Sequence, residues 1–338
     1  MPGQPTAWPT GPDQPVAARP RLNPLPATTA AKPVTPSQEK ALDSNTNVQS
    51  EPLQTPPPTD EQRTSSKETE TSGSETDAQK PSNEKPTEQQ AEQQSLAIVQ
   101  ALREFQQTEP VSPLFSITQG SVSYAGETLF SGLDWQIQRG EHWQVRGPNG
   151  CGKSTLLNLI FGDHPPCYSN QIEVMGFRRG SGESIWQVKQ HIGMVSAALH
   201  LQYRVNCSAL EVVLSGLYDS IGVYQQASEL ELEQARLWLQ LFGLANLEKH
   251  YFKSLSYGQQ RLLIIARALV KGPQLLLLDE PCQGLDFLQR NTVLKALELV
   301  AKHNLSQLVY VTHHQDDALP SIKHFIDFAD GAVQLSKL

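Results

Sequence analysis

The chain has 338 residues, a formal net charge of −8 and four cysteines with no C-x-x-C pair. An acidic chain without a basic cluster is a poor non-specific nucleic-acid binder, and scattered cysteines exclude a zinc ribbon or a disulfide framework, which fits a reducing cytoplasm. No apolar run approaches the roughly 20 residues that cross a bilayer and no leader-type apolar region opens the chain, so a membrane role requires a partner and a place peripheral to the inner face of the plasma membrane.

Residues 1–94 hold 16 of the 24 prolines, with many Ser, Thr, Gln, Glu and Lys. Such a segment buries too little apolar surface to offset chain entropy, and it is expected to be a disordered tail. Apolar residues then return at helical spacing (Leu96, Ile98, Val99, Leu102, Phe105), predicting a short helix over 95–107 and a linker to 114 closed by Pro110 and Pro113. Residues 115–338 read as one α/β domain. It opens with two antiparallel strands, 115–124 and 128–137, turned by Ala125-Gly126-Glu127.

A third strand, 142–146, runs into Gly147-Pro148-Asn149-Gly150-Cys151-Gly152-Lys153-Ser154-Thr155 and then into the apolar Leu156-Leu157. This is G-x-x-x-x-G-K-[ST] between a strand and a helix, the context a phosphate loop requires. The glycines let consecutive N–H groups converge on one point, and the helix N-terminus adds partial positive charge. Lys153 is placed to reach the β/γ-phosphates, and the Ser154 hydroxyl to bind Mg²⁺. A chance glycine turn is the alternative, disfavoured by the flanking strand and helix. Cys151 at a helix start has the setting of an alkylation-prone thiol, but a small filler is the favoured reading.

Short strands are expected at 171–175 and 192–195. Amphipathic helices over 207–217 and 230–242 make 205–255 a helical subdomain inserted into the core. A helix follows Ser256 to Lys271. The all-apolar Leu275-Leu276-Leu277-Leu278 ends in Asp279-Glu280, as a strand buried on both faces does when its carboxylates sit at the C-terminal end. A helix over 289–304, a buried strand 308–312 ending at His313-His314, and a hairpin around Asp330-Gly331 complete the chain.

The phosphate loop, Leu255-Ser256-Tyr257-Gly258-Gln259, Leu275 to Glu280, Gly284-Leu285-Asp286 and Thr312-His313 occur in an order and spacing that resemble an ABC ATPase domain over about 115–338. Gly140-Glu141-His142-Trp143-Gln144, Gly162-Asp163-His164-Pro165, Tyr168-Ser169-Asn170, Arg179 to Glu183 and Leu214-Ser215-Gly216 are similar to the second domain of a two-domain branch associated with molybdenum transport. The resemblance implies a P-loop NTPase fold with an antiparallel β subdomain and an inserted helical subdomain, here carrying the second domain alone. It further implies an enzyme that hydrolyses ATP with Mg²⁺. Asp279 and Ser154 would hold the metal, Glu280 would act as base or water-orienting carboxylate, and His313 would contact the γ-phosphate. His314 is adjacent, and the choice between the two histidines stays open. Tyr124 falls where the family stacks an aromatic on adenine; rim packing would explain it as often. Ser256, Gly258 and Gln259 would face the nucleotide of an opposite subunit, with Asp286 at the seam. That implies a homodimer or pairing with another ABC ATPase domain, served by a separate transmembrane permease or by a non-transport macromolecular partner. A nucleotide-gated binding module with negligible turnover is a further alternative.

Two positions depart from the family pattern. Tyr257 replaces the first signature glycine. Ser196-Ala197-Ala198 follow the strand 192–195 where a glutamine is expected, and Gln202 is the nearest glutamine.

Overall fold

The computed structural model describes residues 88–106, 111–124, 126–314, 317–329 and 332–338. The disordered-tail expectation therefore lies outside the described residues for 1–87, as does the hairpin tip at Asp330-Gly331.

Helix α1 (Glu88–Glu104) begins at Glu88 rather than Ser95. The upstream Glu-Gln-Gln-Ala-Glu-Gln-Gln lacks apolar periodicity but consists of strong helix formers, so it extends the helix as a solvated turn pair. Strands β1 (Phe115–Tyr124), β2 (Glu127–Ile137) and β3 (Trp143–Arg146) follow, then α2 (Lys153–Phe161), β4 (Gln171–Val174), β5 (Phe177–Arg178) and α3 (Ile185–Lys189). Next come β6 (Ile192–Val195), α4 (Ala197–Gln202), α5 (Ala209–Leu214), α6 (Glu229–Leu241) and α7 (Tyr257–Leu269). The chain closes with β7 (Leu275–Asp279), α8 (Phe287–Lys302), β8 (Gln307–Val311), β9 (His324–Ala329) and β10 (Ala332–Lys337).

Two sheets form. An antiparallel one runs β2-β1-β4-β5, and a six-stranded one runs β10-β9-β3-β8-β7-β6. In the second sheet β9, β3, β8, β7 and β6 are parallel and only β10 is antiparallel. Parallel strands put all their C-terminal ends on one edge, and this edge gathers the loop after β3, the acids after β7 and the histidines after β8.

Burial on both faces of β7 follows the period-2 rule. Leu275 and Leu277 join a core with α2 and the antiparallel sheet, while Leu276 and Leu278 join a second core with α7 and the helical block. All four are 0 % exposed. The helical block matches the expectation that 205–255 lacks a strand: among the described residues it holds one isolated bridge, Ser208 to Tyr251. The helix expected at 207–217 is shorter, because Ser208 and Glu211 form a capping box that starts it at Ala209. Residues 197–202, the stretch after β6 where a glutamine is expected, form α4. Ser196 caps it by accepting from the Leu199 N–H at 3.3 Å.

Helix α1 is tied to the rest through Ile98, Val99 and Leu102, all buried. The Arg103 guanidinium donates to the His303 carbonyl at 2.7 Å, and the Gln106 amide to the Leu305 carbonyl at 2.8 Å. Both acceptors lie in the turn between α8 and β8.

Candidate nucleotide site

The loop between β3 and α2 is shaped by positive φ at Gly147 (147°), Gly150 (82°) and Gly152 (105°). Gly147 also has no room for a side chain: a Cβ there would lie 2.7 Å from the Phe328 Cβ and 3.0 Å from the Phe328 carbonyl oxygen. Lys153 is 6 % exposed and folds over this loop. Its ammonium donates to the carbonyls of Gly147 (2.9 Å) and Pro148 (2.7 Å). The cation thus pins the loop in a cradle whose N–H groups and helix N-terminus favour an anion.

Ser154 Oγ donates to Asp279 Oδ1 at 3.0 Å, joining the first turn of α2 to the end of β7. Burial pushes the Asp279 carboxyl above its ordinary value; the Ser154 hydrogen bond pulls it back, and the charge of Glu280 raises it further. A carboxylate and a hydroxyl this close, the carboxylate short of solvation, form a hard-oxygen pair that suits Mg²⁺ sharing its remaining positions with phosphate oxygens and water. No group of three or more His, Cys, Asp or Glu among the described residues could hold a metal alone.

Glu280 adopts φ 47°, a left-handed conformation unusual for a side chain of its size. Strain of this kind concentrates at functional positions. Its Oε1 lies 3.1 Å from His313 Nδ1. His314 has no such contact. Its ring packs on His313 at 4.1 Å between centroids, and its N–H donates to Thr312 Oγ1 at 3.1 Å. Of the two adjacent histidines, His313 is the one whose ring reaches Glu280. Thr312 in turn donates to the buried Asp317 at 2.9 Å, and Asp317 pairs with Arg290 of α8 at 3.3 Å. Sequence reading missed this support, because Asp317 resembles any acid in a loop.

Tyr124 sits at the end of β1, 71 % exposed. Ser256, Gly258 and Gln259 lie in the cap and first turn of α7. Ser256 Oγ accepts from the Gln259 N–H at 3.3 Å, and the Ser256 N–H donates to Gln259 Oε1 at 2.9 Å, a capping box. Gly258 is required locally as well: a Cβ would approach the Gln289 side chain to 2.8 Å. Asp286 caps α8, accepting from the Gln289 N–H at 2.8 Å. These residues therefore set the ends of α7 and α8 side by side. Gln202 is not brought to Ser154 and Asp279. It ends α4 and lines a separate cavity of about 430 Å³ with Asn158, Lys189, Arg267 and Lys271.

Comparison with known proteins agrees with this geometry. A family model described as ABC transporter matches residues 130–283. The ABC transporter ATP-binding protein ModF of Escherichia coli (strain K12) is 48% identical over 223 residues, 65% of this chain and 46% of that protein, so the chain spans about half the length of that relative. YlmA of Bacillus subtilis (strain 168), an ABC transporter ATP-binding protein, is 36% identical over 201 residues, 59% of this chain and 76% of YlmA. The molybdate import ATP-binding protein MolC of Haemophilus influenzae is 33% identical over 191 residues, 56% of this chain and 69% of MolC. Among solved structures, cbiO1 from Clostridium perfringens, part of the ABC transporter complex cbiONQ, superposes with a TM-score of 0.57 at 25% identity over 68% of this chain and 89% of that one. The bacterial cassette MJ0796, solved as a dimer, shares the fold with a TM-score of 0.55 at 24% identity over 66% of this chain and 98% of its own.

Proposed function

The chain belongs to the ABC transporter family of ATP-binding proteins, and on that premise we propose that its ATPase works as half of a two-site dimer with Glu280 as the base. One observation carries the reading. Ser154, Asp279, Glu280 and His313, from three distant stretches of chain, meet at the C-terminal edge of the parallel sheet beside the phosphate loop. The loop N–H groups and Lys153 bind the β/γ-phosphates. Ser154 and Asp279 hold Mg²⁺, which supplies neutralising charge to those phosphates. Glu280 accepts the proton of the attacking water, whose oxygen forms the new bond to the γ-phosphorus as the bond to the ADP oxygen breaks. His313 holds the Glu280 carboxylate in place and contacts the γ-phosphate. Tyr124 supports the adenine.

The other half of the site comes from a second copy, or from another ABC ATPase domain. Ser256, Gly258 and the first-turn N–H groups of α7 are a helix N-terminus that favours an anion. The dimeric state of the MJ0796 cassette accords with that arrangement. The transported substrate in this reading is an oxyanion such as molybdate, carried by separate membrane subunits. The name of MolC, a molybdate import ATP-binding protein, supports it. No helix among the described residues is long and apolar enough to cross a membrane. A second reading, action on a macromolecular or regulatory partner, is favoured by α4 standing where a coupling glutamine is expected. Capture of a membrane permease supports the first reading, and capture of non-membrane partners alone supports the second.

The test of the site is Glu280→Gln. ATP affinity is expected to stay within about twofold while turnover falls by at least about a thousandfold. Hydrolysis at the wild-type rate removes Glu280 from the role of base. Lys153→Ala, by contrast, is expected to lose ATP binding itself.

A further inference from the structure

Tyr257, one of the two departures from the family pattern, meets the helix that carries the other. Tyr257 is the first residue of α7, on the turn whose N–H groups form the anion-binding end. Its ring packs on the imidazole of His200, with centroids 4.6 Å apart and planes at 38°. His200 belongs to α4, the helix that stands where the glutamine loop is expected. Tyr257 also accepts a hydrogen bond from the fully buried Arg261, Nη2 to Oη 3.3 Å, and the guanidinium carbon lies 5.6 Å from the ring centroid. The turn at Gly284, just before Asp286, is the third neighbour: a Cβ at Gly284 would lie 3.6 Å from the Tyr257 ring.

The imidazole is itself held. Gln260 Nε2 donates to the carbonyls of Phe252 and Leu255, both at 3.0 Å. That fixes the amide so that Gln260 Oε1 must accept, and the atom 2.9 Å away is His200 Nε2. His200 is therefore the Nε2–H tautomer, with its ring also against Phe252 at 5.6 Å. His200 is 8 % exposed, whereas Tyr257 is 40 % exposed. A buried ring thus backs a half-exposed ring on the first turn of α7, where Arg261 holds only its hydroxyl end.

We propose that His200 is a positioning residue for the trans half of the ATPase site: it holds the Tyr257 ring against α4, so that Ser256 and the first-turn N–H groups of α7 stay open to the partner's γ-phosphate. The device replaces two family features at once, the small signature residue and the glutamine loop. It links the segment after β6 to the dimer seam through one ring pair. The proposal rests on the dimeric ATPase reading above.

The test is a double-substitution cycle on the full chain with steady-state ATP hydrolysis as readout. His200→Ala is expected to lower kcat about tenfold with KM for ATP moved less than about twofold, because the chain's own phosphate loop is untouched. In a Tyr257→Gly background the same change is expected to alter kcat less than about twofold, since no ring remains to be held. His200→Gln keeps an amide donor for Gln260 but loses the ring, and it is expected to behave as the alanine variant. His200→Phe keeps the ring and is expected to retain at least about half of kcat. Equal losses in the two backgrounds, or a His200→Gln protein with wild-type kcat, overturn the proposal while leaving the ATPase reading intact. A wild-type chain without Mg²⁺-dependent turnover overturns the ATPase reading, and this proposal with it.

Discussion

At φ 147°, with the Phe328 carbonyl oxygen 3.0 Å from where a Cβ would stand, Gly147 is held to glycine by conformation and by space together. Its carbonyl is also one of the two acceptors that fix Lys153. Gly147→Ala is therefore expected to weaken ATP binding at least about tenfold and to lower stability by about 1–3 kcal/mol. Titration with a fluorescent ATP analogue and thermal unfolding check the two effects, and unchanged affinity would contradict the geometry. At this scale the sequence was most legible where a motif ties residue type to spacing, as in the phosphate loop and in Asp279-Glu280. It was silent where a role depends on a contact between distant residues. The motif resemblance points to His313, but nothing in the order of residues shows which ring reaches Glu280; His313 Nδ1 lies 3.1 Å from it. Nothing marks His200 either, because its partner Tyr257 arrives from another helix.

Strands and helices were legible to the extent that burial is periodic. The four leucines of β7 alternate between two cores, as an all-apolar run in a parallel sheet must. Helix α4 escaped because its six residues are too few for a periodic signal and its cap, Ser196, looks like any loop serine. Helix α1 was legible only where it touches the core. That contact makes a prediction at the same scale. Ile98, Val99 and Leu102 are buried against the helical block, and each contributes about 1.5–3 kcal/mol by burial. Removal of residues 1–87 is expected to leave the unfolding temperature within about 1 °C of the full chain, whereas removal of residues 1–106 lowers it by more than about 5 °C. A chain without residues 1–106 that is as stable as the full one would show that α1 is not part of the folded unit.

Over the whole molecule, several histidines share one electrostatic situation. Burial pushes His142, His191, His200 and His303 below their ordinary value of 6.5. His142 is the most enclosed of them that bonds the backbone, accepting from the Leu308 N–H at 3.1 Å. The unfolded chain therefore takes up protons before the folded one does. Their contribution is fully present above about pH 6.5 and is lost as the pH falls toward the folded values. The unfolding temperature is expected to drop by several degrees between about pH 7.5 and about pH 5.5. In His142→Asn, which keeps an acceptor for Leu308 but cannot be protonated, the drop is expected to be shallower; an unchanged slope would assign the acid sensitivity elsewhere. The same scale carries the central claim, that the chain holds a phosphate loop and a signature end that serve different nucleotides. It is tested most directly by light scattering of the Glu280→Gln protein with and without Mg²⁺-ATP. A monomer is expected without nucleotide and a stable particle of twice the chain mass with it. A protein that binds ATP yet stays monomeric at every concentration would contradict it.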